Sequence, residues 1–228
     1  MFPELREKNP DTTRSFRTLQ ILIGVLGMLL PLICGLGGYI FAGFKLQSSL
    51  SAYFYTNCSV IFTGILFCLA AVMATYRGYE RIDDIISTIT GILAVGIALF
   101  PCLLAKVDGK PVGFFQIIAN YSHYVHVGCA GLFFLFLAVN SIFIFTLTDD
   151  KKNMLKQKKI RNGIYIACGI IIIIALVILA VLNIVYTELE LEKVEEVFWL
   201  ETVLLEAFGI SWLLKAGYIL KDKKRMEK

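Results

Sequence analysis

Only two histidines, His123 and His126, occur among 228 residues, so a metal centre built from three imidazoles is excluded. The six cysteines, Cys34, Cys58, Cys68, Cys102, Cys129 and Cys168, include no C-x-x-C pair and lie inside or at the edge of apolar runs. That spacing excludes a zinc ribbon or dithiol redox motif and leaves them as small buried hydrophobes. Walker, Rossmann, G-x-S-x-G and H-E-x-x-H patterns are absent. Nothing therefore supports an ATPase, a dehydrogenase, a serine hydrolase or a zinc protease, and no cofactor is expected. Charge is also scarce, at 18% of residues, and no basic tract alternates with aromatics, which excludes a nucleic-acid partner.

What the chain has instead is apolar length. Hydrophobic residues make up 57% of it and the mean hydropathy is +0.74, with the charges confined to short patches between long runs. The pattern predicts an all-α polytopic membrane protein, a single bundle of six transmembrane helices over 21–220. The spans are expected at about 21–42, 57–76, 85–105, 123–145, 163–186 and 197–220, after a polar segment 1–20 and before a basic tail 221–228. Pro31 is expected to kink the first span, and Gly35, Gly37, Gly38 and Ala42 leave it a smooth strip for a neighbour. The run of Ile and Val in the fifth span predicts the greatest lipid exposure.

Orientation follows from the cations. Of the 22 Lys and Arg residues, seventeen fall in the N-terminus, the second and fourth connectors and the C-terminus. Four fall in the odd connectors, and Lys215 lies within the last span, from where it is expected to snorkel to the cytoplasmic headgroups. The positive-inside rule then puts both termini in the cytoplasm and the connectors after spans one, three and five outside. Five glutamates between Glu188 and Glu196 suit a solvated outer loop.

That topology gathers polar residues at the outer half of the bundle. His123 and His126 are three apart and share a helix face at the start of span four. Glu201 enters span six at comparable depth. The stretch Ser49 to Asn57, with Ser51, Tyr53 and Tyr55, fits either an aromatic belt at the headgroups or a re-entrant lid over a polar pocket. Two imidazoles and a carboxylate can hold Zn²⁺, so His123, His126 and Glu201 form an alternative metal-dependent hydrolase site. Glu206 falls near mid-membrane, five residues and about 140° from Glu201, where an ionisable group costs about 2.5 to 3.5 kcal/mol on insertion scales. It fits either a ligand or ion contact or an interhelical fastening.

The segments "SLSAYFYT" (Ser49 to Thr56), "YRGYERIDDIISTITGILAVGIALFP" (Tyr76 to Pro101) and "FWLETVLLEAFGISWLLKAG" (Phe198 to Gly217) resemble a bacterial family of six-helix membrane proteins known as a domain of unknown function. The likeness runs from Leu46 onward. It implies the fold and a multi-pass location in the bacterial inner membrane, and it implies no activity. Where the family carries an Arg-Asp pair after the Ser/Tyr loop, this chain has Asn57-Cys58-Ser59. The function expected is non-enzymatic: binding or moving a small molecule or lipid through a pocket lined by Glu206, Glu201, His123, His126, Ser49, Ser51, Tyr53 and Asn57. Membrane lipids are the expected partners, and a homo-oligomer with a structural or effector role, held by Glu206, is the other non-enzymatic alternative.

Overall fold

The computed structural model describes residues 10–43, 46–78, 81–102, 119–148, 154–188, 195–217 and 220. The end of the third expected span, the connector with Phe114 to Ile118, the loop glutamates Glu190 and Glu192 and the 221–228 tail lie outside the described residues. Among the described residues every regular element is helical. The long helices are α1 (Pro10–Leu32), α3 (Ser59–Thr75), α4 (Arg81–Leu99), α5 (Ala119–Val139), α6 (Lys156–Glu188) and α7 (Glu196–Lys215). Among the described residues five segments are long and apolar enough to cross a membrane, and a sixth apolar helix, α3, has 17 residues. A helix bonds its own backbone, which suits apolar runs that meet no water. The architecture is compatible with a multi-pass membrane protein.

Helix boundaries depart from the hydropathy pattern where a polar extension is packed. α1 is already helical at Pro10, well before the expected start at 21, because Phe16 stacks on Tyr76 at 5.1 Å and Gln20 is buried. Pro31 does not break this helix. The backbone widens instead into a π-turn at Ile33–Gly37, and the short helix α2 (Gly38–Ala42) follows, stopped by Gly43 at a left-handed φ of 61°. A second π-turn, Asn140–Ile144, follows α5.

The six long helices close into a ring. Each packs against its neighbour in the chain, and α7 returns to pack against α1. At the α1–α7 seam the backbones touch: a methyl on Gly209 would lie 2.8 Å from the Gly24 carbonyl oxygen, and one on Gly27 would lie 2.6 Å from the Phe208 ring. Such small-residue seams are how helices approach closely when lipid supplies no hydrophobic drive. Aromatic rings fill the middle, with Phe208 meeting Phe133 at 6.5 Å and Trp212 meeting Tyr76 and Phe145 at 5.0 and 5.1 Å. α6 lies at the periphery, with 28% of its apolar window buried against 39 to 50% for the other long apolar segments.

This seam sets an expectation. Gly209→Val forces α1 and α7 apart and should cost on the order of 2 kcal/mol in an SDS-titration unfolding assay in mixed micelles. Gly64→Ala, where the added methyl has nothing within 4 Å, should leave stability unchanged or slightly raised.

Candidate functional site

The loop between α2 and α3 turns into the bundle rather than lying across its end. Ser49 starts the turn, its hydroxyl and carbonyl oxygens both accepting the Ala52 N–H at 3.1 and 3.2 Å. A 3₁₀ turn over Ser51–Tyr55 follows, and the Thr56 hydroxyl closes it by donating to the Tyr53 carbonyl at 2.9 Å and accepting the Cys58 N–H at 3.1 Å. The short hydroxyl side chains thus replace helix bonds with local ones, which is why this stretch is a turn and not a continuation of α2. Leu50, Ala52 and Tyr53 are buried as a result. Burial pushes the Tyr53 phenol up from its ordinary value, so it stays neutral, with its oxygen 3.5 Å from the Gln47 N–H.

Side chains from two helices hold this loop. The Glu201 carboxylate on α7 accepts the Leu50 N–H at 2.6 Å, and one turn earlier the Phe198 N–H donates to the Ser48 carbonyl at 3.1 Å. On α5, His126 is 4% exposed and uses both ring nitrogens. Nδ1 lies 2.7 Å from the Phe100 carbonyl, and Nε2 lies 2.8 Å from Ser51 Oγ. A carbonyl can only accept, so Nδ1 carries a proton, and in the neutral ring Nε2 accepts the Ser51 hydroxyl proton. The Tyr55 hydroxyl donates to the Cys102 carbonyl, and Ser122 donates to Pro101 at 2.9 Å, which holds the end of α4 to the same assembly.

The residues expected from the sequence divide accordingly. Ser49, Ser51, Tyr53, His126 and Glu201 come together at this end of the bundle, the loop end. Asn57 is exposed beyond the turn. His123 is directed to the neighbourhood of Tyr124, with ring centroids 6.0 Å apart. Glu206 stands on an exposed stripe of α7 with Trp199, Val203 and Ile210, away from the loop. Among the described residues no three His, Cys, Asp or Glu side chains gather within reach of one metal ion, so the set His123, His126 and Glu201 is not assembled. The nitrogens of His126 and the carboxylate of Glu201 are already committed to the loop and to Phe100.

A second polar cluster lies at the opposite end, and neither hydropathy nor motif spacing reveals it. Asp83, by sequence part of a polar connector, is 1% exposed on the inner face of α4, with Ser87, Thr90, Gly91 and Ala94 buried on the same stripe. Tyr76 donates to Asp83 at 3.4 Å, and Gln20 donates to Tyr76 at 3.5 Å. A side chain at Gly78 would collide with Asp83, so only glycine lets the connector fold over it. Lys215 does not snorkel. Its ammonium sits 4.8 Å from the Phe145 ring centroid, within the field of Asp83. Ser141 donates to Ser211 at 2.8 Å alongside. Among the described residues, the Ser87 hydroxyl, both amide atoms of Asn140 and the indole N–H of Trp212 are buried without a hydrogen-bond partner. The one signal in the sequence is the polar and small stripe at helical spacing from Asp83 to Ala94.

No family model, curated protein or solved structure matches the chain. The resemblance to a six-helix membrane family therefore rests on the segments Ser49 to Thr56, Tyr76 to Pro101 and Phe198 to Gly217 alone.

The opposite-end cluster yields an expectation. Lys215→Met removes the cation in the field of a buried carboxylate and should destabilise by about 3 kcal/mol, whereas Asp83→Asn/Lys215→Met should recover at least half of that. The SDS-titration assay measures both, and strictly additive losses would show that the two groups are not coupled.

Proposed function

We propose that the chain is a six-span membrane bundle, with both termini cytoplasmic, that binds a small polar molecule or a lipid headgroup beneath the loop 46–58. The orientation is supported by the seventeen-to-four split of Lys and Arg between the two sets of connectors. It directs the loop end outward and the Asp83 cluster inward. The likeness of three segments to a bacterial six-helix family supports a place in the bacterial plasma membrane.

One observation carries the ligand reading: an ionisable or polar side chain from each of α5 and α7 holds the loop, and each bond is one that a ligand can take over. Glu201 accepts from the Leu50 N–H at 2.6 Å and would accept equally from an ammonium or hydroxyl. His126 faces Ser51 at 2.8 Å and offers the same nitrogen to a ligand hydroxyl or phosphate. Lifting the turn would uncover a carboxylate, an imidazole and a serine hydroxyl against the apolar walls of Phe198 and Tyr53, which is the usual make-up of a small-molecule site. The site so narrowed comprises Ser49, Ser51, Tyr53, His126 and Glu201, without His123, Asn57 or Glu206. The metal-dependent hydrolase alternative loses support because its ligands are apart.

Native mass spectrometry of the protein released from nanodiscs of phosphatidylethanolamine and phosphatidylglycerol tests this. Wild type should retain one molecule of defined mass, or one of the two lipids well above its share in the bilayer. Glu201→Ala/His126→Ala should lower that retention at least about fivefold, the loss expected from about 1 kcal/mol of hydrogen bonding. Retention in bilayer proportion, or equal retention by the double variant, would contradict the proposal.

A further inference from the structure

Glu206 is the ionisable side chain that the loop-end site leaves unused. It is the eleventh of twenty residues in α7, so it lies near the middle of a helix about 30 Å long. Among the described residues it makes no hydrogen bond and no ion pair. The Thr202 hydroxyl, one turn away, spends its proton on the Phe198 carbonyl at 2.8 Å and so has none to donate to Glu206. Glu206 is partly exposed, and the residues sharing its stripe are apolar and open: Trp199, Val203 and Ile210 are 56, 45 and 45% exposed. A carboxyl in that position faces lipid, where an unanswered polar group is strongly disfavoured.

From this we infer that the stripe Trp199, Val203, Glu206 and Ile210 is the contact between two copies of this chain, related by a two-fold axis along the membrane normal. The chemistry of the acid selects that occupant. An uncharged carboxyl is both donor and acceptor, so two of them complete one another. In a two-fold contact the same patch meets itself. The axis also brings the second Glu206 to the same depth automatically, whereas an unrelated helix would have to carry its own polar residue at that level. Val203 and Ile210, one turn to either side, supply packing around the pair, and Trp199 reaches toward the headgroups. The contact is independent of the loop-end site and stands or falls separately from it.

Subunit-capture photobleaching in liposomes, over a range of protein-to-lipid ratios, measures the dimer directly. Wild type should pass from dimer to monomer on dilution. Glu206→Gln, whose amide also donates and accepts, should dimerise as wild type does. Glu206→Leu should dimerise about tenfold more weakly, the effect of losing one interhelical hydrogen-bonded pair in a membrane. Leu is readily accepted by lipid, so this variant should fold, and an unchanged elution volume in detergent checks that it does. Cross-linking locates the interface: with Cys68 replaced by Ser, Val203→Cys should form a disulfide dimer on mild oxidation, while Ile92→Cys on the exposed face of α4 should not. A wild type monomeric at every ratio, a Glu206→Leu that dimerises fully, or equal cross-linking through Ile92 would each overturn the inference.

Discussion

An apolar surrounding offers no hydrogen bonds, so a polar group inside an apolar helix is costly unless another part of the protein answers it. The simplest answers are local. Thr63, Thr90, Thr146 and Thr202 each return their hydroxyl proton to the carbonyl four residues earlier, which removes them from any tertiary role. Several others are answered across the bundle, and those answers set its organisation. Glu201 meets the Leu50 N–H, His126 meets Ser51 and the Phe100 carbonyl, and Ser141 meets Ser211. Each bond fixes a pair of elements that are distant in the chain.

The two ends of the ring use this constraint differently. At the loop end the partners are backbone N–H groups, carbonyls and a serine in a turn, so the helices α5 and α7 hold a segment that is not itself helical. At the opposite end the partners are side chains on the helices themselves. Asp83, Tyr76, Gln20 and Lys215 join α1, α3, α4 and α7, with the rings of Trp212 and Phe145 packed among them. The first arrangement seats a loop on the ring, whereas the second joins the helices of the ring to one another, and its members form the seams between them.

Hydropathy made most of the apolar segments legible, since a run of about 20 apolar residues matches the thickness of a bilayer core. It failed at α1, where a polar stretch is helical because Phe16 and Gln20 pack against the rest of the bundle, an event with no local signature. The loop Ser49 to Asn57 was legible only as one of two alternatives. The hydroxyls that make the turn are visible in the sequence, but the residues that seat it, Glu201 and His126, lie 151 and 75 positions from their partners. Shared depth suggested that His123 and His126 act together, yet the two rings have different neighbours, and one is buried against the turn. Asp83 was hidden by its place in a charged connector, and Lys215 by the general tendency of lysines near a helix end to reach for headgroups. A nearby aromatic ring and a buried acid reverse that tendency here.

The seating of the loop departs furthest from ordinary behaviour, because a common inter-helix loop is solvated. Hydrogen–deuterium exchange of the protein in lipid nanodiscs, followed on peptides covering 46–58, measures it. If Glu201 and His126 hold the turn inside the bundle, the amides of Leu50, Ala52 and Tyr53 should exchange as slowly as those of α3, and Glu201→Gln should speed them. Exchange of 46–58 in the wild type at the rate of a free loop would contradict that seating and, with it, the site built upon it.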